Sequence, residues 1–176
     1  MELITQLGDL FRNYSGAVAT EPPASVREDF ERVSQTAPRS AVAEGLVEAF
    51  RSRQTPQFSD MVSQLYTNSN SLQKAGVLNR LLTSVGHSLA DHLASSGRIQ
   101  GLGTVLSGSD RVILPEQAEL VSPETVRQVA EEAEKRDPSV VRSMGDFYAH
   151  HPALAKTLSA AALTVAMIKI ASYQIP

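Results

Sequence analysis

Apolar residues in this chain recur at three- and four-residue steps through most of its length, and no stretch alternates apolar with polar over the length of a strand. This confines the chain to an all-α fold, because half-buried strands need that alternation. Helical stripes run through Leu3, Leu7, Leu10, Phe11 and Tyr14, then through Val26, Phe30 and Val33, and through Val42, Leu46, Val47 and Phe50. They continue through Phe58, Met61, Val62, Leu65 and Tyr66, and through Leu72, Val77, Leu78, Leu81 and Leu82. The best β-prone run, Arg111 to Leu114, stands alone, and one isolated strand makes no sheet.

The helix starts are marked locally. Ser122-Pro123-Glu124 and Asp137-Pro138-Ser139 each set a capping side chain before a proline at the first helical position, and Thr55-Pro56 and His151-Pro152 repeat the pattern. Asn70 or Ser71 is the expected cap of a longer helix. Gly86 interrupts that helix, and Leu89, Ala90 and Leu93 extend it to Ser96-Gly97, giving one kinked helix or two. After Pro123, Val126, Val129, Ala130 and Ala133 form an inward stripe, while Glu131 with Lys135 and Glu132 with Arg136 face outward in the favourable acid-first order. Residues from Val121 to Tyr173 are expected to form three helices with almost no loop between them. In the last of them Leu154, Leu158, Ala161, Val165 and Ile168 make a heptad-like seam, and Leu163, Met167 and Ile170 a second stripe. A helix apolar on two faces and rich in alanine is the central helix of a bundle. Its twelve uncharged residues, Thr157 to Ile168, rise about 18 Å, too little to cross a bilayer core of about 30 Å.

Breaks in these patterns suggest an organisation. Ser15-Gly16 and the Pro22-Pro23 linker set off an amphipathic arm over residues 1–19. A helical unit over 25–96 follows, then a connection over 97–120 that holds four of the ten glycines, then a three-helix unit over 121–176. The expected architecture is a bundle of about seven to nine helices in two packed units. Charge is uneven along it: residues 116–151 hold eight acids and four bases, whereas 152–176 hold Lys156 and Lys169 and no acid.

Composition excludes several functions. With no cysteine there is no thiol nucleophile, disulfide scaffold or thiolate metal site. A net charge of −3 and 5% aromatic residues argue against nucleic-acid binding, which needs clustered cations and stacking platforms. The glycines from Gly101 to Gly108 lack the Gly-Lys-Ser/Thr of a phosphate-binding loop, and no nucleophile elbow is present. No cofactor is expected. The N-terminal segment, with Glu2 and Asp9 and no basic stretch, does not read as a secretion signal, so cytoplasmic residence is the expectation. His87 with Asp91, and Asp146 with His150, sit four residues apart and would each share a helix face, the weak candidates for a metal site.

The run from Ser122-Pro123-Glu124 through Asp137-Pro138-Ser139 to Phe147-Tyr148-Ala149-His150-His151-Pro152, with Gln73-Lys74-Ala75-Gly76-Val77-Leu78 upstream, resembles small bacterial helical proteins. It is loosely similar to the YidB-like family, in which a glycine-rich leucine segment precedes a helix opened by Ser-Pro-Glu. The family's tryptophan-containing stretch has no counterpart in a chain without tryptophan. The resemblance implies a bacterial cytoplasmic protein and brings no catalytic motif.

These observations point to a non-enzymatic binding or self-association module acting through apolar helix faces, with a protein partner or a second copy. Leu3, Leu7, Leu10 and Phe11 of the arm are the candidate contact residues, docking on their own core or on another subunit. Leu158, Val165 and Ile168 are a second candidate surface. The alternatives are a metal-dependent or hydrolytic enzyme using His87, Asp91, Asp146 and His150, and peripheral membrane contact through the first helix. The last is disfavoured by Glu2 and Asp9 against Arg12 alone.

Overall fold

The computed structural model describes residues 8–10, 12, 14, 23–86 and 112–174. Among them every regular element is a helix. In chain order these are α1 (Val26–Thr36), α2 (Arg39–Arg51), α3 (Phe58–Thr67), α4 (Ser71–Val85) and α5 (Pro115–Ala118), followed by α6 (Pro123–Arg136), α7 (Val140–Ala149), α8 (Pro152–Ala155) and α9 (Ala160–Gln174). The all-α expectation is met. The run Val112–Leu114 forms no strand, and Arg111 lies outside the described residues.

The chain divides into two compact units. One combines residues 1–57 with 145–176, and the other is residues 58–144. Helices from the two ends of the chain thus share one unit, while the middle forms the other.

In the first unit α9 packs on α2 and α1, and α8 packs on α1. Helix α2 is buried nearly all round: Ala41, Val42, Ala43, Gly45, Leu46, Val47, Ala49 and Phe50 face inward, leaving Glu44 and Glu48 at i,i+4. Two glycines bring its neighbours close. A Cβ on Gly45 would lie 2.8 Å from the carbonyl oxygen of Ala166 and 2.7 Å from Ile170, and one on Gly145 would lie 2.6 Å from Val47. On α9 the second sequence stripe is deeply buried, with Leu163, Met167 and Ile170 at 0% exposure.

The last expected helix is broken into α8 and α9. Thr157 Oγ donates to the Leu154 carbonyl, and Ser159 Oγ accepts the Ala162 N–H at 3.2 Å as the cap of α9. The carbonyls of Lys156 and Leu158, freed by the break, accept from the Arg27 guanidinium of α1, the second at 2.8 Å. Lys156 in turn pairs with Glu31 at 3.2 Å. A cation at the end of a helix satisfies carbonyls that have no partner within it, so the interruption is held by tertiary contacts rather than by glycine or proline.

In the second unit α6 packs on α3 and α4, and α5 packs on α4. Val126, Val129, Ala130 and Ala133 form the buried stripe of α6, as its spacing predicts. Ser122 accepts from the Thr125 N–H and Pro123 is the first helical residue. Asn70 caps α4 in a reciprocal box with Gln73. Gly86, at φ +83°, ends that helix; Leu89, Ala90 and Leu93, its expected continuation, lie outside the described residues.

Three local expectations are corrected. Thr55-Pro56 does not open α3, which begins at Phe58; Thr55 Oγ instead donates to the carbonyls of Ala49 and Ser52, closing α2. Glu132 meets Lys135 at 3.8 Å rather than Arg136, because Lys135 lies between Glu131 and Glu132 on the same face. After Asp137-Pro138 the helix starts at Val140, with the Asp137 carboxylate accepting from the Ser139 N–H and hydroxyl.

Candidate functional site

Leu3, Leu7 and Phe11 of the arm lie outside the described residues. Leu10 is half-buried and Tyr14 fully enclosed. The Tyr14 hydroxyl donates to the carboxylate of buried Asp29 at 2.7 Å, and Ser25 donates to the same oxygen at 2.9 Å. Burial first, and then the Asp29 carboxylate, push the Tyr14 phenol well above its ordinary pKa, so it stays a donor. This end of the arm is anchored on its own first unit. On the C-terminal side Leu158 and Val165 are buried in that unit's core and Ile168 is half-buried.

His87 and Asp91 also lie outside the described residues. Asp146 and His150 are both exposed, and His150 Nδ1 meets the main-chain oxygen of Asp146 at 2.8 Å, not its carboxylate. His151 does the same with the Phe147 carbonyl at 2.9 Å and stacks on the Phe147 ring, 4.5 Å between centroids. Among the described residues no group of three His, Asp or Glu side chains is placed to hold a metal ion.

Two buried tyrosines differ in what they touch. Tyr66 donates to the carbonyls of Ala118 and Val121, the latter at 3.0 Å, and so ties α5 and the turn after it to α3. Tyr148, packed against Phe50 and Phe147, has no hydrogen-bond partner for its hydroxyl among the described residues. Both phenols are pushed far above the ordinary range, chiefly by burial. Tyr66→Phe should lower stability by about 2 kcal/mol, since two carbonyls lose their donor. Tyr148→Phe should leave stability unchanged or raise it by up to about 1 kcal/mol, since it removes a hydroxyl that is desolvated on folding without compensation. Thermal melts of the two variants check this, and a loss at Tyr148 as large as that at Tyr66 would contradict it.

The feature that the periodicities did not single out lies on the second unit. The exposed large apolar side chains among the described residues are Leu72, Val112, Leu114 and Leu120, and all four belong to this unit. Three of them lie on residues 112–120, and Leu72 lies on α4, which that segment follows. The Asn79 side-chain amide grips residue 113 at both ends, accepting from the Ile113 N–H at 2.8 Å and donating to its carbonyl at 3.0 Å. At the other end of the segment the Glu119 carboxylate accepts from Ser71 at 2.6 Å and from Lys74 at 3.2 Å. Residues 112–120 therefore run antiparallel along α4. Leu72 and Asn79 are seven residues apart, two turns on one helix face and about 10 Å along the axis, whereas Ser71 and Lys74, which hold Glu119, lie roughly 100° and 160° round the helix from Leu72.

Ile113 is buried at 2% exposure while its neighbours stand out at 61% and 53%. In extended backbone alternate side chains point to opposite sides, so anchoring Ile113 inward turns both Val112 and Leu114 outward. Ser71 first, and then Lys74, hold the Glu119 carboxyl below the usual carboxylate range. The sequence signal that could have located the strip is the i,i+7 placement of Leu72 and Asn79, a leucine and an amide on one helix face.

No family model, no curated protein and no solved structure matches the chain. No residue role enters from a relative, and the strip stands on its geometry alone.

Proposed function

We propose that this protein is a non-enzymatic interaction module whose binding surface is the apolar strip on the second unit. The observation that carries this is the concentration of Leu72, Val112, Leu114 and Leu120 on α4 and the segment bound along it. Single exposed leucines are common on protein surfaces, but four large apolar side chains left in water on one short segment and the helix it follows favour an interaction site. The strip is pre-organised by the Asn79 amide and the Ser71 and Lys74 contacts, so a partner meets it without first ordering it.

An apolar fluorescent dye tests the surface. At dilute protein the wild type should bind the dye with enhanced, blue-shifted emission, and the Leu72→Glu, Leu120→Glu double variant should lose most of it. Both residues are exposed, so the variant's circular dichroism and melting temperature should stay within the small range usual for surface changes. Equal emission from the two proteins, both folded, would overturn the assignment.

A further inference from the structure

We infer that the face of α4 under residues 112–121 is a peptide-binding site, filled by the chain's own segment and able to exchange it for a partner segment of the same chemistry. That chemistry is an aliphatic residue at the place of Ile113, a small residue and a carboxylate at those of Ala118 and Glu119, and an aliphatic residue at that of Val121. The site is the inner side of the segment whose outer side belongs to the strip proposed above. A partner that takes it lifts Val112, Leu114 and Leu120 off α4; this control of the strip rests on the earlier proposal, whereas the peptide site does not.

The segment is held in the manner of a bound peptide, by main-chain hydrogen bonds with a few side chains enclosed. The Asn79 amide accepts from the Ile113 N–H at 2.8 Å and donates to its carbonyl at 3.0 Å, and Tyr66 donates to the carbonyls of Ala118 and Val121. Neither grip touches the side chain of the residue it holds. Selection comes from Ile113, Ala118 and Val121, all buried, and from Glu119, which accepts from Ser71 and Lys74. The segment also shapes itself: Leu114 is extended at φ −82° and ψ 156°, and Gln117 Oε1 accepts the Leu114 N–H at 2.9 Å across the turn Pro115–Ala118. Those features lie within the segment, so a copy supplied from outside carries them too and loses less entropy on docking.

The holding residues do not depend on the occupant. Helix α6 packs on both α3 and α4, and the Asn70–Gln73 box caps α4 locally, so Tyr66, Ser71, Lys74 and Asn79 keep their places when the segment leaves. The segment in turn contributes little to the core, burying Ile113, Ala118 and Val121 while leaving Val112, Leu114 and Leu120 in water. Three buried side chains, one of them alanine, gain little against the entropy of fixing the backbone that carries them. Such a segment is a weak tethered competitor, which a partner can displace.

The probe is a labelled synthetic peptide of residues 112–122 carrying Val112→Ser, Leu114→Ser and Leu120→Ser, which keeps Ile113, Ala118, Glu119 and Val121 and lacks the outer apolar residues. Its fluorescence anisotropy is followed against the full chain. Wild type should bind it only at about millimolar concentration, the effective concentration at which a tethered segment competes. Ile113→Ala weakens the segment and leaves α4 untouched, so that variant should bind the peptide at least about tenfold more tightly. Glu119→Gln, at an exposed site, should gain about twofold, and decides the matter alone if Ile113→Ala does not fold. The same peptide with Ile113→Asp should bind none of the three proteins. Equal or absent binding across the folded proteins, or equal binding of the aspartate peptide, overturns the site. The strip is judged separately, by the dye contrast of Leu72→Glu, Leu120→Glu, so failure of one reading leaves the other standing.

Discussion

Replacing Asn79 by aspartate should cost the protein about 3 kcal/mol at neutral pH and much less in acid, a larger effect than most substitutions of a half-buried polar side chain. The Asn79 amide both gives to and takes from the one residue it holds, donating to the Ile113 carbonyl and accepting from its N–H. An ionised carboxylate keeps the second bond but sets a negative oxygen against the Ile113 carbonyl. A protonated carboxyl restores both bonds, because its O–H can donate. The folded-state pKa of Asp at position 79 is therefore raised above its unfolded value of about 3.9. The sign follows from linkage: the stabilising contribution is complete below the unfolded pKa and is lost as pH rises through the folded pKa. Urea titrations at neutral pH and near the unfolded pKa should show the gap between wild type and variant narrowing on acidification. A gap that is the same at both pH values would contradict the two-bond grip. The same substitution should weaken dye binding by the strip, since Val112 and Leu114 are turned outward by the anchoring of Ile113.

Alanine at Gly45 should destabilise the first unit by about 2 kcal/mol, against the sign expected from helix propensity alone. In an exposed helix interior, glycine to alanine gains about 1 kcal/mol. Here the new methyl would sit 2.8 Å from a main-chain oxygen and 2.7 Å from Ile170, closer than carbon atoms approach without movement. The α2–α9 contact must open along its length, and overpacking of this kind costs about 1–3 kcal/mol beyond the propensity gain. Gly145→Ala should act in the same direction through Val47, and because both glycines press on α2 the two effects should not add independently. Gly8→Ala is the internal control, since nothing lies within 4 Å of a Cβ built there; it should leave stability unchanged or raise it. Chemical denaturation of the three variants decides the matter, and equal behaviour of Gly45→Ala and Gly8→Ala would mean that the close crossing does not limit packing.

Much of the helical content is legible in single residues. Ser122 before Pro123 is a cap whose geometry the structure reproduces, and of the two expected caps Asn70 and Ser71 it is Asn70 that serves, because capping is satisfied within four residues and needs no distant partner. The inward stripe of α6 is equally local. Legibility ends where a bond is made across the fold. The break between α8 and α9 falls inside an unbroken apolar pattern, and Arg27, which satisfies the carbonyls released there, is 129 and 131 residues away in sequence. Thr55 reads as a helix cap, yet it binds backward to α2, since a hydroxyl beside proline can serve either neighbour. Of the candidate contact residues, Leu158 and Val165 are buried, and Tyr14, the last residue of the arm's stripe, is drawn onto Asp29. The exposed strip was hidden for the converse reason. Leu72 and Leu114 look like core residues in a chain where apolar residues usually are, and only the placement of Ile113 shows which side of the segment faces water.

By itself the sequence determined that this chain is helical, where most of its helices begin, and which faces of them are apolar. Those properties follow from period, capping and proline stereochemistry, all of which act over a few residues. Tertiary structure alone decided that helices from the two ends of the chain share one unit and that α2 lies against α9 at a glycine. It also decided that four apolar side chains are left in water along α4. An apolar stripe states only that a face must be covered. Which surface covers it depends on shape and on hydrogen bonds between residues far apart in the chain.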